Sequence, residues 1–472
     1  MQAAKQTAGP ELVRDLNVWH AIAIVAGTII GSGIFRVPGV MMKEVGSAGL
    51  VYLVWIVGGL LSFFGALTYA ELGAMRPWAG GEYVYVRDAY GPLLGFLYAW
   101  TWFLIAKPGS IATITTGIVD VLSTFPRLSF LSTSLFALHL SNTRTFEITY
   151  GHLVAIAATV LISALNYMGV RKAGGFQLVF TSLKIGMIAI IILIGFTASS
   201  GGWGNFHTTF MGARGGMAGF MAALVAALWA YDGWNDLNMV SGEISKPERT
   251  IPVALITGVA IVGVLYIGIN AAVQYVMPAD AIAASKVPAS AATQIVLGHW
   301  GAVIVSLGMA LSMMVTLNGT VMSGGRVPFA VARDGYFFRA LAEVHPRFHT
   351  PATAIVVQAI MAILLLLVGG AFQQLFSLTI FAEWLFYMIA ASTIFVFRYR
   401  EPDVPRPYRA WGYPVIPALF ILAAAVLLYY TFGGENLWNS VAGTIVILLG
   451  IPVFFYFSRQ NKSRTETHPQ TG

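Results

Sequence analysis

Three small residues interrupt an apolar segment near the start of the chain, where Gly31, Ser32 and Gly33 stand side by side within the stretch 27–35. Glycine costs about 1 kcal/mol relative to alanine inside a helix, and it lets the backbone turn away from the helix axis. The pattern predicts a helix break whose exposed N–H groups would bind a carboxylate, assisted by the hydroxyls of Thr28 and Ser32. Close packing of two helices through small residues is the alternative.

A second polar interruption lies in a later apolar segment, where Asp232, Gly233 and Asn235 follow one another closely. These residue types favour non-helical backbone, so a second helix break is predicted. The carbonyl groups expected to lose their helical partners and to accept from an ammonium are those of Ile29, Ile30, Trp229, Ala230 and Tyr231. An ammonium site beside a carboxylate site would recognise the zwitterionic backbone of a free amino acid.

Trp229 lies in the middle of its segment, where an anchor at the lipid interface does not fit. The prediction places its ring over the substrate, as a gate or as a wall for the substrate side chain. Packing against neighbouring helices is the alternative for Trp229, and it is the expected role of Tyr231 and Trp234.

Lys184 lies ten residues into the fifth apolar segment, where a buried ammonium needs a partner. We expect it to donate to carbonyls freed at the first break, much as a bound sodium ion would contact them. If the amine instead releases its proton, Lys184 would be a proton carrier. The remaining alternative is that the side chain snorkels to an interface.

Two further ionisable residues lie in apolar segments. Asp232 is predicted to cap a half-helix that starts at Gly233, with pairing to a substrate ammonium or proton carriage as alternatives. Lys107 precedes Pro108, which kinks its segment, and it either lines the cavity or snorkels. Glu71 and Glu243 are expected to form ion pairs near helix ends, with basic residues close in sequence: Arg76, Lys246 and Arg249.

The composition is that of a protein that crosses the membrane several times. The chain is 57% hydrophobic and 10% charged with a mean hydropathy of +0.75, whereas soluble domains carry about 25% charged residues. The net charge of +7 is spread unevenly over the loops, so it does not indicate a nucleic-acid partner. No metal-ligand spacing, nucleophile triad or phosphate loop appears, and we expect neither a cofactor nor an enzyme.

Twelve apolar segments are long enough to cross a bilayer. They lie near 18–42, 48–74, 92–123, 150–168, 175–199, 216–241, 252–277, 296–330, 352–370, 374–398, 412–431 and 438–458. Most Lys and Arg residues fall in the loops on the side of the two termini, which places both termini in the cytoplasm. Interrupted segments at matching positions of two halves point to a transporter site, so the breaks in segments 1 and 6 favour two five-helix halves. These halves cover 18–199 and 216–398, followed by two helices over 412–458, all within a single domain, 1–472.

Five stretches resemble the amino acid–polyamine–organocation (APC) superfamily, and within it the bacterial branch of the L-type amino acid transporter (LAT) family. They are 27–35, 230–235, 242–247 with 251–252, 332–335 with 345–346 and 350–351, and 406–414. The resemblance implies an all-α five-plus-five inverted repeat with two extra helices, and transport by alternating access.

The resemblance also implies roles for individual residues. The substrate α-amino and carboxylate groups would be held, together with the backbone of helix 6, by Ile30, Gly31, Ser32 and Gly33. Trp229 matches an aromatic gate, Lys184 matches the helix 5 lysine that replaces sodium, and Asn235 would face the substrate or the gate. Eukaryotic relatives often have Gly at the position of Asp232 and Arg at that of Lys107. They bind an accessory glycoprotein through a cysteine, and since this chain has no cysteine, no disulfide-linked subunit is expected.

These observations together predict a sodium-independent transporter of L-amino acids in the bilayer of the bacterial inner membrane, an exchanger of neutral ones. The alternatives are proton-coupled symport through Lys184, and a carrier of cationic amino acids or polyamines. From other classes, an amino-acid sensor that does not transport would need a signalling domain, and a channel would not need two broken helices around one midplane site.

Overall fold

The computed structural model describes residues 11–141, 144–368, 372–432 and 437–467, which are mostly helical. The helices are α1 (Val18–Ile29), α2 (Gly33–Val45), α3 (Ala48–Met75), α4 (Glu82–Tyr90), α5 (Pro92–Thr101), α6 (Lys107–Leu122), α7 (Tyr150–Tyr167), α8 (Val170–Phe196), α9 (Gly216–Ala230) and α10 (Asp236–Met239). They continue with α11 (Pro247–Val276), α12 (Ala279–Ala284), α13 (Pro288–Leu297), α14 (His299–Gly324), α15 (Arg326–Arg333), α16 (Ala352–Val368), α17 (Phe372–Arg400), α18 (Val415–Phe432) and α19 (Leu437–Thr467).

Both predicted helix breaks are present. The first segment divides into α1 and α2, with residues 30–32 between them. The sixth segment divides into α9 and α10, separated by the turns of residues 231–235. The second half-helix begins at Asp236, later than the predicted Gly233, because Gly233 has a φ of 102° and cannot be a helical residue.

Two other segments are interrupted: the third next to Pro108, where the sequence predicts a kink, and the eighth, for which no interruption is predicted. A π-helical turn, Trp102–Ala106, joins α5 to α6 directly before Pro108. Proline has no N–H to donate, so a change of hydrogen-bond register is accommodated there. The eighth segment is divided into α14 and α15 at Gly325.

The described residues are mostly helical, as the all-α prediction expects, and one stretch departs from it. Strands β1 (Ser134–Ser141) and β2 (Arg144–Thr149) pair antiparallel between α6 and α7. In β2 the apolar residues Phe146 and Ile148 alternate with polar ones, a period of two that is typical of a strand and that a search for membrane helices passes over.

Eight described helical stretches are long and apolar enough to cross a membrane, so the chain is a multi-pass membrane protein. Three further apolar helices are shorter: Gly216–Ala230, Ala352–Val368 and Val415–Tyr430. Each of the twelve predicted segments contains helix, but the number of crossings stays a prediction. The last two residues of the predicted segment 352–370 lie outside the described residues. The two ends of the chain, 1–10 and 468–472, also lie outside them.

Close contacts place the broken helix α1–α2 at the centre of the bundle. A Cβ atom at Gly319 of α14 would lie 2.4 Å from Thr28 Oγ1, and one at Gly258 of α11 would lie 2.5 Å from Val25 Cγ1. Glycine therefore lets both helices approach α1 directly. Leu16 forms a parallel bridge with Ile244, which ties the start of α1 to the loop after α10.

Candidate binding site

A cavity of about 340 Å³ lies between the two helix breaks, which is within the range of small-ligand sites. Its walls come from α1, α2, α6, α9, α10, α14, α17 and the turns before α10. The predicted site residues that line it are Thr28, Gly31, Ser32, Gly33, Lys107, Trp229, Ala230 and Asp232. The structure thus brings together residues of both breaks in one cavity.

The start of α2 forms the end of the cavity suited to a carboxylate. Ser32 is the N-cap residue of α2 and makes no side-chain capping bond, so the first N–H groups of the helix need another acceptor. The absence of a side chain at Gly33 leaves a narrow gap through which a carboxylate can reach these N–H groups. A Cβ atom at this position would fill the gap, because it would lie 3.1 Å from Ala230 Cβ. The Thr28 hydroxyl is predicted to donate to the substrate carboxylate. It donates instead to the Ile24 carbonyl at 2.6 Å.

Most carbonyls predicted for a substrate ammonium already accept hydrogen bonds from the protein. Tyr266 Oη lies 3.2 Å from the Ile29 carbonyl and 2.8 Å from the Ala230 carbonyl, joining the two breaks. One hydroxyl hydrogen serves one carbonyl at a time, which leaves the other as an acceptor. Sequence reasoning missed Tyr266, because a tyrosine in an apolar helix carries no signal of its partner.

Lys184 is fully buried against the C-terminal end of α1. Its ammonium donates to the carbonyls of Gly27, at 2.6 Å, and Ile30, at 2.7 Å. Hydroxyls of Ser312 and Thr316 also donate to the Ile30 carbonyl. A positive charge at a helix C-terminus is favourable, and this contact is the predicted one. Its role in place of sodium stays a prediction.

Three residues predicted to contact substrate lie outside the cavity lining. Ile30 is buried, and its carbonyl is used by Lys184. Tyr231 packs on Tyr266, with ring centroids 5.0 Å apart. Asn235 donates from Nδ2 to Glu82 Oε1 at 2.6 Å. These three residues therefore lie behind the wall of the cavity, and their contact with substrate stays a prediction.

Lys107 lines the cavity, so the snorkelling alternative is wrong. Its ammonium forms an ion pair with Asp236, which lies on the same wall as Glu383. Sequence reasoning missed both acids, although Glu383 has the signal that identified Lys107, an ionisable side chain inside an apolar segment. The helix after the break begins at Asp236, so Asp232 does not cap it. Instead, Asp232 Oδ1 accepts from Tyr387 Oη at 3.0 Å.

Buried ion pairs fill the end of the bundle where Leu16 lies. Glu243 and Arg326 are fully buried and share hydrogen bonds of 2.7 Å and 3.0 Å. Glu71 pairs with Arg398 at 2.7 Å. These partners correct the predicted ones, which were the basic residues nearest in sequence. At the opposite end the cavity lining extends to Arg36 and Asp120.

The chain matches known proteins over nearly its whole length. A family model described as amino acid permease matches residues 16–451. The b(0,+)-type amino acid transporter 1 of Mus musculus is 32% identical over 449 residues, 94% of this chain and 88% of that protein. The serine/threonine exchanger SteT of Bacillus subtilis (strain 168) is 30% identical over 460 residues, 96% and 98% of the two chains. The large neutral amino acids transporter small subunit 2 of Mus musculus is 31% identical over 459 residues, 96% and 83%.

The matched region contains both helix breaks and the cavity between them. A cavity with free helix N–H groups on one side and an available carbonyl on the other is suited to a zwitterion. The chain therefore belongs to the amino acid permease family, within the APC superfamily of membrane transporters, and it is an amino acid transporter similar to the L-type ones rather than an enzyme.

Proposed function

We propose that the chain is a sodium-independent exchanger of neutral L-amino acids. The observation that carries the proposal is the cavity between the breaks, where the start of α2 faces the end of α9 across Gly33 and Ala230. The substrate carboxylate binds the N–H groups of α2, and its ammonium binds whichever of the Ile29 and Ala230 carbonyls Tyr266 leaves free. The relatives named as exchangers or amino acid transporters support this assignment.

The proposed transport cycle is alternating access around this site. The cavity reaches Arg36 and Asp120 at one end, whereas the Glu243–Arg326 pair, which does not line the cavity, is buried at the opposite end of the bundle. The proposed architecture is a five-plus-five inverted repeat with two further helices, twelve in all, since the broken first and sixth segments occupy matching positions. Both termini then face the cytoplasm of a bacterial cell, and the cavity opens outward from the inner membrane.

The proposal includes no covalent accessory subunit, because the sequence has no cysteine to form a disulfide. A second candidate function is the carriage of cationic amino acids. The observation that favours it is the excess of acids in the cavity lining, where four acids, Asp120, Asp232, Asp236 and Glu383, face two basic residues, Arg36 and Lys107. Competition of a neutral amino acid by lysine and arginine in the uptake assay distinguishes the two candidates.

Uptake into proteoliposomes is expected to be the same in sodium and in choline buffers, because the Lys184 ammonium occupies the position where a cation would contact the Gly27 and Ile30 carbonyls. Uptake of labelled amino acid is expected to require unlabelled amino acid inside the vesicles. Protein-free vesicles are the control. A strict sodium requirement would refute the assignment of Lys184, and full uptake into empty vesicles would refute exchange.

Trp229→Ala is expected to raise the KM for neutral amino acids about tenfold, since an aromatic wall contributes roughly 1.5 kcal/mol of binding. Trp229 is 36% exposed and lies beside Gly33, with Cζ3 3.5 Å from the position of a Cβ there. Trp300→Ala is the matched control, because Trp300 is a highly exposed residue of α14 that does not line the cavity. An unchanged KM would assign Trp229 to packing.

A further inference from the structure

Four carboxyl groups surround a single ammonium at one wall of the cavity. Glu82, Asp236 and Glu383 are 0%, 1% and 8% exposed, Lys107 is 7% exposed, and Asp232 faces the cavity. An ionised carboxylate is costly to bury unless it is paired. Lys107 pairs with Asp236, while Asp236 Oδ2 and Glu82 Oε2 have no hydrogen-bond partner among the described residues. This acid cluster has more negative groups than Lys107 can neutralise.

A chain of hydrogen bonds joins Asp232 in the cavity to Glu82 on α4, outside the eight candidate spans. Tyr387 Oη lies 3.0 Å from Asp232 Oδ1 and 3.3 Å from Asn235 Oδ1. The amide nitrogen of Asn235 donates to Glu82 Oε1 at 2.6 Å. This hydrogen-bond chain therefore runs from the cavity through the wall behind it.

The hydrogen-bond chain between Asp232 and Glu82 has one hydrogen fewer than its acceptors need. Tyr387 has a single hydroxyl hydrogen, yet it lies within hydrogen-bond distance of two acceptors, Asp232 Oδ1 and Asn235 Oδ1. A proton on Asp232 removes the conflict, because its O–H donates to Tyr387 Oη and the tyrosine hydrogen then goes to Asn235. One added proton thus satisfies every member of the chain between Asp232 and Glu82.

We propose that Asp232 is a proton-binding site and that a neutral amino acid and this proton occupy the cavity together. The proton comes from protonated buffer in the surrounding solution, which becomes its conjugate base, and forms the O–H bond of the Asp232 carboxyl group. The inference rests on the proposed substrate position, in which the amino acid carboxylate lies at Gly33. A substrate carboxylate near Asp232 adds negative charge to the acid cluster, which favours the protonated form.

The charged and titratable groups around Asp232 come from every element packed against it. They are Tyr69 of α3, Glu82 of α4, Lys107 of α6, Asp236 of α10, and Glu383 and Tyr387 of α17. Two of them favour the ionised form of Asp232, Lys107 through its charge and Tyr387 through the hydrogen bond that it donates, whereas the neighbouring acids favour the protonated form. Burial raises the pKa of Glu82, at the far end of the hydrogen-bond chain, to about 7.

The test measures protons bound with substrate. Binding of the neutral amino acid that is transported best is followed by titration calorimetry of the purified protein at about pH 7, in buffers of different ionisation enthalpy. We expect uptake of about one proton per substrate. Asp232→Asn should abolish this uptake, because the asparagine amide donates to Tyr387 permanently. Asp280→Asn is the matched control, because Asp280 is an exposed residue of α12, and this variant should bind the proton as the parent protein does.

Exchange in proteoliposomes provides the second measurement. The parent rate should fall about tenfold per pH unit above the apparent pKa, whereas the rate of Asp232→Asn should no longer depend on pH in this way. If Asp232→Asn does not fold, Tyr387→Phe serves instead, and the pH at which the proton binds should shift while amino acid binding is retained.

Neutral substrate binding without proton uptake would overturn the proposal and leave the proposed transport function intact. Tighter binding of lysine as the pH rises, lost in Asp232→Asn, would support the proposal, since a substrate cation would then compete with the proton for the Asp232 carboxyl group. Absence of amino acid binding at every pH would instead count against the proposed function.

Discussion

Gly33→Val is expected to abolish amino acid uptake while the protein still folds. A Cβ at this position would lie 3.1 Å from Ala230 Cβ and 3.3 Å from Ala230 Cα, and the two additional methyl groups of valine need more space. Overpacking of this kind costs about 1–3 kcal/mol, a modest cost for a bundle of this size. The same methyl groups cover the N–H groups at the start of α2, which leaves the substrate carboxylate without donors.

The measurement is the initial rate of labelled amino acid uptake in proteoliposomes, with the amount of folded protein determined by size-exclusion chromatography. Gly186→Val is the matched control, because Gly186 lies within α8 and has nothing within 4 Å of a Cβ. That variant should transport at the parent rate. Retained uptake by folded Gly33→Val would contradict the placement of the carboxylate.

Lys184→Met is expected to lower the transport rate by about 10- to 100-fold, corresponding to roughly 1–3 kcal/mol for a buried polar group that loses its partner. The ammonium is the charged donor to the Gly27 and Ile30 carbonyls at the end of α1. Hydroxyls of Ser312 and Thr316 still reach the Ile30 carbonyl in the variant. The main loss is therefore the charge that holds the broken helix against α8.

Initial exchange rates and thermal unfolding of the purified protein check this expectation. Lys172→Met is the matched control, since Lys172 is an exposed residue of the same helix, and it should leave the rate unchanged. A parent-like rate for Lys184→Met would show that the tie between α8 and the break is dispensable for transport. Recovery of the lost rate by added sodium would support the view that the ammonium takes the place of a cation.

The sequence by itself determined where the helices break. Gly31 and Gly33 in one segment, and Asp232 and Gly233 in another, disfavour helix through their own backbone and side-chain chemistry, which needs no distant contact. The same local reasoning predicted that Lys184 needs a partner, because the cost of burying an ammonium does not depend on which helix supplies the acceptor.

Tertiary structure alone decided which groups meet. The Tyr266 hydroxyl lies within hydrogen-bond distance of a carbonyl at each break. Asp236 pairs with Lys107, and Glu243 pairs with Arg326 instead of with a sequence neighbour. Asp232 contacts Tyr387 instead of capping a helix. The local sequence determines the tendency of a residue to break a helix and the free energy needed to bury its side chain. The partner of a buried polar group depends instead on how helices distant in sequence pack against one another.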